Sequence, residues 1–263
     1  MIYAFCNQKG GVGKSTTIYH LARAAVLKNL RVLVIDADPQ GNVTRALVED
    51  VQGDDIVLAD ALSYRTTDTL SDILVPGIWE GLTVAPTAGD KLSPVRDELV
   101  STPNPGRESR LRVQLDAIKA DYDLVLIDCA PALDTLTLNA LTAAEGVVII
   151  TQSKQWSLDG LALLLDNVDN VRAYYNPRLT VAGLIVNLHE ANTGAGRHWA
   201  DELGSAATAR GLRLLDPIVP KRQAISDATE YGHGLDQGDS KTRPLADIYA
   251  ALLTQLMGGK TND

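Results

Sequence analysis

The chain has 263 residues, of which 45% are hydrophobic and 22% charged, an ordinary globular balance that excludes disordered and fibrous classes. Its 33 acidic and 24 basic side chains leave a formal charge of −9, so phosphate backbones and anionic lipid repel it on average. Any nucleic-acid contact therefore needs a local basic patch.

Two cysteines, Cys6 and Cys129, each lie inside an apolar run and supply neither a disulfide framework nor a metal cluster, which points to a reducing compartment. No apolar run approaches the roughly 20 residues of a membrane span. Met1–Cys6 lacks the basic region and cleavage site of a signal peptide, so a cytoplasmic protein is expected.

Short runs rich in Val, Ile and Leu alternate with longer helical patterns. The first run, Ile2–Cys6, predicts a strand. It leads into Asn7-Gln8-Lys9-Gly10-Gly11-Val12-Gly13-Lys14-Ser15-Thr16 and then an expected helix over Thr16–Lys28, with Leu21, Ala24, Ala25 and Leu27 on one side. The phosphate-loop pattern is G-x-x-x-x-G-K-[ST]. Gly13, Lys14 and Ser15 fit its second half, whereas Gln8 occupies the first glycine position and Lys9 precedes a glycine pair. Glycines let backbone N–H groups turn inward around phosphates. Lys14 at a helix start adds a point charge, and a Ser15 hydroxyl suits Mg²⁺, which takes hard oxygen ligands.

The next strand, Val32–Ile35, delivers Asp36-Ala37-Asp38-Pro39-Gln40-Gly41-Asn42 at its carboxyl end, where open α/β sheets bind ligands. Turn chemistry is the plain alternative, and the neighbouring phosphate loop favours function. Leu82–Ala85 predicts another strand, Ser101–Arg110 a surface loop and Leu111–Lys119 a helix. Leu124–Ile127 is a buried strand ending in Asp128, the position of a second Mg²⁺ anchor in phosphate-loop enzymes. Strands over Val147–Ile150, Val181–Val186 and Leu214–Val219 follow, with a helix over Gly160–Tyr174. Near-continuous apolarity in the strands means burial on both faces. The order predicts a doubly wound α/β fold, a mostly parallel sheet with helices on both faces, in one domain over residues 1–263. The last helix, Pro244–Met257, carries Leu245, Ile248, Tyr249, Leu252, Leu253 and Leu256 on one stripe. It has no basic face after its start, so packing on the sheet is expected over a membrane surface. His20, His189, His198 and His233 show no ligand spacing. Trp79, Trp156 and Trp199 are scattered.

Lys9-Gly10-Gly11-Val12-Gly13-Lys14-Ser15-Thr16 resembles the deviant Walker A motif of the ParA/MinD group of P-loop ATPases. Asp36-Ala37-Asp38-Pro39-Gln40-Gly41-Asn42 is similar to the D-x-D-P-Q-G-N segment of ParA proteins. Asp121-Tyr122-Asp123, Leu158-Asp159-Gly160-Leu161, Asn176-Pro177, Gly183-Leu184-Ile185-Val186-Asn187 and Val219-Pro220-Lys221-Arg222 extend the likeness over nearly the whole chain. Ser226-Asp227-Ala228 departs from the family's usual Ser-Glu-Ala.

The resemblance implies a P-loop fold without an amino-terminal helix-turn-helix domain, ATP and Mg²⁺ as cofactors, and residue roles. Gly10 through Thr16 would cradle the phosphates, and Lys9 would be the signature lysine reaching the partner subunit's phosphates in an ATP-sandwich homodimer. Asp38 would activate the attacking water. Ser15, Asp36 and Asp128 would serve the metal, Asn187 would sit at the adenine, and the backbone at Pro220 would line the base. The activity implied is Mg-dependent ATP hydrolysis driving plasmid or chromosome partition, in a cytoplasmic, nucleoid-associated protein. Its partners would be non-specific double-stranded DNA and a ParB-like centromere-binding protein. For DNA the candidate cations are Lys221, Arg222, Lys241 and Arg243. A MinD-like ATPase positioning a non-DNA cargo is the alternative, and the non-basic final helix argues against its membrane attachment. A nitrogenase-iron-protein relative would need more cysteines than two.

Overall fold

The computed structural model describes residues 1–51, 55–154 and 157–258; Trp156 lies outside them, as do the side chains of Leu158 and Asp159. One seven-stranded sheet organises the chain, in the order β3-β4-β2-β5-β1-β6-β7. Its strands are β1 (Ile2–Cys6), β2 (Val32–Ala37), β3 (Val75–Pro76), β4 (Leu82–Ala85), β5 (Leu124–Cys129), β6 (Gly146–Gln152) and β7 (Thr180–Asn187). All pairings are parallel except the two-residue edge pair β3·β4. The carboxyl ends of β1, β2, β5, β6 and β7 therefore open onto the same side.

Strand periodicity divides the core into two layers. Ile2, Ala4, Cys6, Leu33, Ile35, Val125, Ile127, Val147 and Ile149 point to one face. Helices α3 (Leu58–Leu62), α4 (Leu92–Ser101), α5 (Arg110–Asp116), α6 (Thr135–Ala143) and α7 (Ser157–Tyr174) cover that face, joined at Ala207 by α8 (Gly194–Ala209). Tyr3, Phe5, Val32, Val34, Leu124, Leu126, Val148 and Ile150 point to the other. There they meet α1 (Lys14–Val26), α2 (Asn42–Leu47), α9 (Gln223–Glu230) and α10 (Arg243–Gly258). Leu245, Tyr249, Leu252, Leu253 and Leu256 of α10 are buried against this layer, so the final apolar stripe is core, as its composition predicts. Among the described residues no helix is long and apolar enough to cross a membrane.

Three expectations are corrected. Leu214–Val219 forms no strand; it runs beside β7 as an extended segment joined by isolated bridges, Leu184 to Leu214 and His189 to Pro220. Leu215 N–H donates to the Leu184 carbonyl (2.8 Å) and Val219 N–H to the Val186 carbonyl (2.9 Å). Pro217, between them, has no N–H to continue the ladder. Leu27, expected on the apolar side of α1, is 52% exposed, because the helix ends at Val26 and the chain turns through Asn29 at φ 57°. The helix predicted to Lys119 stops at Asp116 and continues as a 3₁₀ turn over Lys119–Asp121.

Two family-like segments have structural duties. Asp123 accepts from the Arg31 backbone N–H (2.9 Å) and guanidinium (3.0 Å), tying the start of β5 to the start of β2. The Asn176 amide donates to the carbonyls of Leu141 (3.1 Å) and Ala144 (2.7 Å), closing the end of α6.

Candidate functional site

A cavity of about 580 Å³ opens at the carboxyl ends of the central strands. One end is the β1–α1 loop, Gly10 through Thr16. The loop turns because Gly11 and Gly13 adopt positive φ, 72° and 86°, which L side chains rarely accept. Gly13 is doubly constrained, since a Cβ there would lie 2.3 Å from the Asn187 amide nitrogen. No side chain caps the start of α1, so the N–H groups of its first turn are left for a ligand. A buried Lys14 adds its charge to this helix terminus, the arrangement that favours phosphate.

Three carboxylates lie along the strand ends beside the loop. Asp36 and Asp128 are register partners on β2 and β5, both fully buried, and Asp38 follows two residues on. Burial and then Asp36's charge push the Asp128 carboxyl well above the ordinary carboxylate range. Asp36 is raised chiefly by burial, against the lowering bonds from Thr44. Ser15 Oγ donates to Asp128 Oδ2 (2.6 Å), while Asp128 Oδ1 is buried with no hydrogen-bond partner. Crowded acidic oxygens, one of them unpartnered, beside a hydroxyl and a phosphate-binding loop form a donor set that suits Mg²⁺. Among the described residues, no group of three or more His, Cys, Asp and Glu side chains makes a metal centre by itself, so phosphate and water oxygens would have to complete the coordination.

The other predicted residues divide clearly. Asp38 lines the cavity and accepts from the Gln40 N–H (3.0 Å). Asp36 does not line it. Its carboxylate accepts from the Thr44 N–H (2.9 Å), the Thr44 hydroxyl (2.6 Å) and the Asp38 N–H (3.3 Å), which holds the β2–α2 loop in place. Asn187 lines the cavity, and its amide donates to the Val12 carbonyl (2.8 Å). Lys9 is exposed and outside the cavity lining; its backbone N–H donates to the Asn7 side chain (2.8 Å). Pro220 lines a neighbouring groove with His189, Glu190 and Lys221.

Of the four DNA candidates, Lys221 is paired with Glu190 (2.6 Å) and Arg222 lines the phosphate-loop cavity. Lys241 and Arg243 are exposed before and at the start of α10. Trp79 is half-buried under the Arg23 guanidinium (5.2 Å), and Trp199 packs against His198. Sequence reading passed over the far wall of the cavity, Leu188, Ile225 and Thr229. The α9 segment bears no phosphate-type motif; its place after the Val219–Arg222 likeness and the family-like Ser226-Asp227-Ala228 within it are its signals.

Strand, glycine loop, uncapped helix and paired strand-end carboxylates together define a P-loop nucleotide-binding fold. A family model described as an AAA domain matches residues 1–181. The sporulation initiation inhibitor protein Soj of Bacillus subtilis is 34% identical over 265 aligned positions, covering 97% of each chain. The chromosome partitioning protein ParA of Caulobacter vibrioides is 36% identical over 233, covering 88% of this chain and 84% of that one. The chain belongs to the ParA/Soj-type partition ATPases of the deviant Walker A family. Among solved structures, cobyrinic acid a,c-diamide synthase of Mycobacterium smegmatis with a bound ATP analogue and magnesium superposes with a TM-score of 0.79 at 30% identity, covering 98% and 96%. McdA of Cyanothece shares the fold at a TM-score of 0.85 and 20% identity, covering 97% and 98%.

Proposed function

We propose that this chain is an Mg-dependent ATPase whose ATP-bound homodimer binds DNA without sequence preference and is discharged by a ParB-like partner. The observation that carries the reading is the convergence of Lys14, Ser15 and Asp38 on one cavity, with Ser15 bonded to Asp128, whose other carboxylate oxygen is buried and unpartnered. Gly10 through Thr16 present backbone N–H groups to the phosphates, and Lys14 adds a fixed charge. Ser15 and Asp128 would hold Mg²⁺, which would supply charge neutralisation on the transferred phosphoryl group. Asp36 would brace the loop that carries Asp38, and Asp38 would orient the attacking water. Lys9, exposed beyond its own cavity, would act on the phosphates of a second copy.

DNA binding rests on Lys241 and Arg243 more than on Lys221 or Arg222, given the Glu190 pair and the cavity position of Arg222. An acidic monomer offers few adjacent cations; a dimer joins two small patches into one stripe. Burial of the α10 stripe supports DNA over a membrane as the surface engaged.

The test is light scattering with and without Mg-ATP, followed by binding of two unrelated duplexes across a salt series. An ATP-dependent dimer whose affinity for both duplexes falls steeply with salt is expected. Salt-independent binding, or equally tight binding by the nucleotide-free monomer, would overturn the DNA reading; failure to dimerise with ATP would overturn the switch.

A further inference from the structure

The wall of the cavity opposite the phosphate loop is α9, through Ile225, Ser226 and Thr229. This is an eight-residue helix with one buried side chain, Ile225, so little apolar burial of its own holds it in place. Its fixings come from α1 instead. His20 Nε2 lies 3.0 Å from the Ile225 carbonyl and 3.3 Å from Thr229 Oγ1. The Tyr19 hydroxyl faces the carbonyls of Ala228 (3.2 Å) and His233 (3.1 Å). Arg23 forms a two-pronged pair with Asp236, in the turn after α9, at 2.9 and 2.7 Å.

The His20 contact is chemically specific. Burial pushes the imidazole down to about 4, so at neutral pH it carries one ring proton. A carbonyl only accepts, which assigns that proton to Nε2. The ring is wedged between Tyr19 and Tyr249, at centroid separations of 5.0 and 4.6 Å, and so cannot swing away. The same helix begins at Lys14 and Ser15. One helix thus carries the phosphate loop at its start and, further along, the His20 bond to the Ile225 carbonyl on the far wall, beside the Tyr19 and Arg23 contacts.

We propose that His20 is a positioning residue for the nucleotide: by donating to the Ile225 carbonyl it sets α9 against the half of the ligand remote from the phosphates. The proposal rests on the ATP reading above and deepens it. Its signature is selectivity. Loss of the bond should weaken ligands that carry a nucleoside and spare those that are phosphate alone.

The test compares wild type, His20→Phe and His20→Gln for Mg-dependent binding of a fluorescent ATP analogue and of inorganic tripolyphosphate. Phe keeps the ring packing and loses the donor; Gln places an amide N–H near the lost Nε2 position. His20→Phe should weaken the ATP analogue about tenfold, the scale of one hydrogen bond, with tripolyphosphate unchanged within about twofold. His20→Gln should recover most of the loss. In wild-type protein the His20 ring ¹⁵N resonances should shift with ATP and stay still with tripolyphosphate, a readout independent of whether a variant folds. Equal ATP binding by His20→Phe, equal loss of both ligands, no recovery in His20→Gln, or an unmoved resonance would each overturn the positioning role. A wild-type protein without ATP affinity would instead bring down the functional reading beneath it.

Discussion

Ser15 Oγ donates to Asp128 Oδ2 at 2.6 Å, joining the first turn of α1, which lines the cavity, to the buried end of β5. The bond satisfies one carboxylate oxygen and leaves the other buried and unpartnered. A raised carboxyl means that ionisation opposes folding: stability present below its unfolded value is lost as pH rises through the folded one. Asp128→Asn should therefore raise the melting temperature of the nucleotide-free protein, by about 3 °C for each kcal/mol recovered, and abolish the added stabilisation by Mg-ATP. Thermal melts at pH 8 with and without Mg-ATP check both halves. A variant that melts lower and still gains from Mg-ATP would contradict the assignment.

Gly13→Ala should disable the cradle. The new Cβ would meet Asn187 Nδ2 at 2.3 Å in a backbone conformation of φ 86° that alanine resists, so the Asn187–Val12 bond or the loop must give way. A loss of about 1–2 kcal/mol in stability is expected, with Mg-ATP affinity lost. Chemical denaturation and fluorescent-nucleotide titration measure the two effects.

Asp38→Ala and Lys9→Ala should separate turnover from assembly. Asp38 contributes a carboxylate to the cavity and accepts from the Gln40 N–H of its own loop, so its removal should leave ATP bound, the dimer stable and phosphate release almost abolished. Lys9 is exposed beyond the cavity, so its removal should leave monomer binding intact and prevent ATP-dependent dimerisation. Light scattering alongside a phosphate-release assay distinguishes the two patterns. Wild-type hydrolysis by Asp38→Ala would reduce that residue to a turn former.

Acid should weaken the fold through His20. Its folded value near 4 lies below the ordinary 6.5, so the neutral ring is favoured by the fold. The stability it confers is fully present above pH 6.5 and is lost as pH falls toward 4. The groups around it are the rings of Tyr19 and Tyr249, with Arg23 and Asp236 already paired to each other. Between pH 7.5 and 5 the unfolding free energy of wild type should fall by about 2 kcal/mol more than that of His20→Gln. Urea titrations at the two pH values give the difference directly.

The phosphate end of the site could be read residue by residue because its chemistry is local. A strand, positive-φ glycines and a Lys-Ser pair are consecutive in the chain, and Asp38 and Asp128 each follow a run that is apolar for sheet reasons. The far wall could not be read that way. Ile225 and Thr229 reach the cavity through α9, whose placement depends on His20 and Tyr19 some 200 residues earlier, and no spacing rule spans that separation. The motif that pairs Asp36 with Asp38 gives Asp36 a place in the metal shell; its bonds to Thr44 were not legible, because they follow from a helix, α2, too short for periodicity to reveal. The Leu214–Val219 run has strand composition but loses its ladder at Pro217, a case where one missing donor outweighs apolar pattern.

Both margins of the sheet are closed to further strands. On one side β3 is two residues long, antiparallel, and ends in Pro76, which offers no donor to a newcomer. On the other, the stretch from Arg213 to Lys221 is already hydrogen-bonded along β7. Among the described residues, neither margin therefore presents a long regular strand for a second sheet to extend. The ATP-dependent dimer proposed above would then have to form through side chains and loops rather than through strand pairing at a sheet margin.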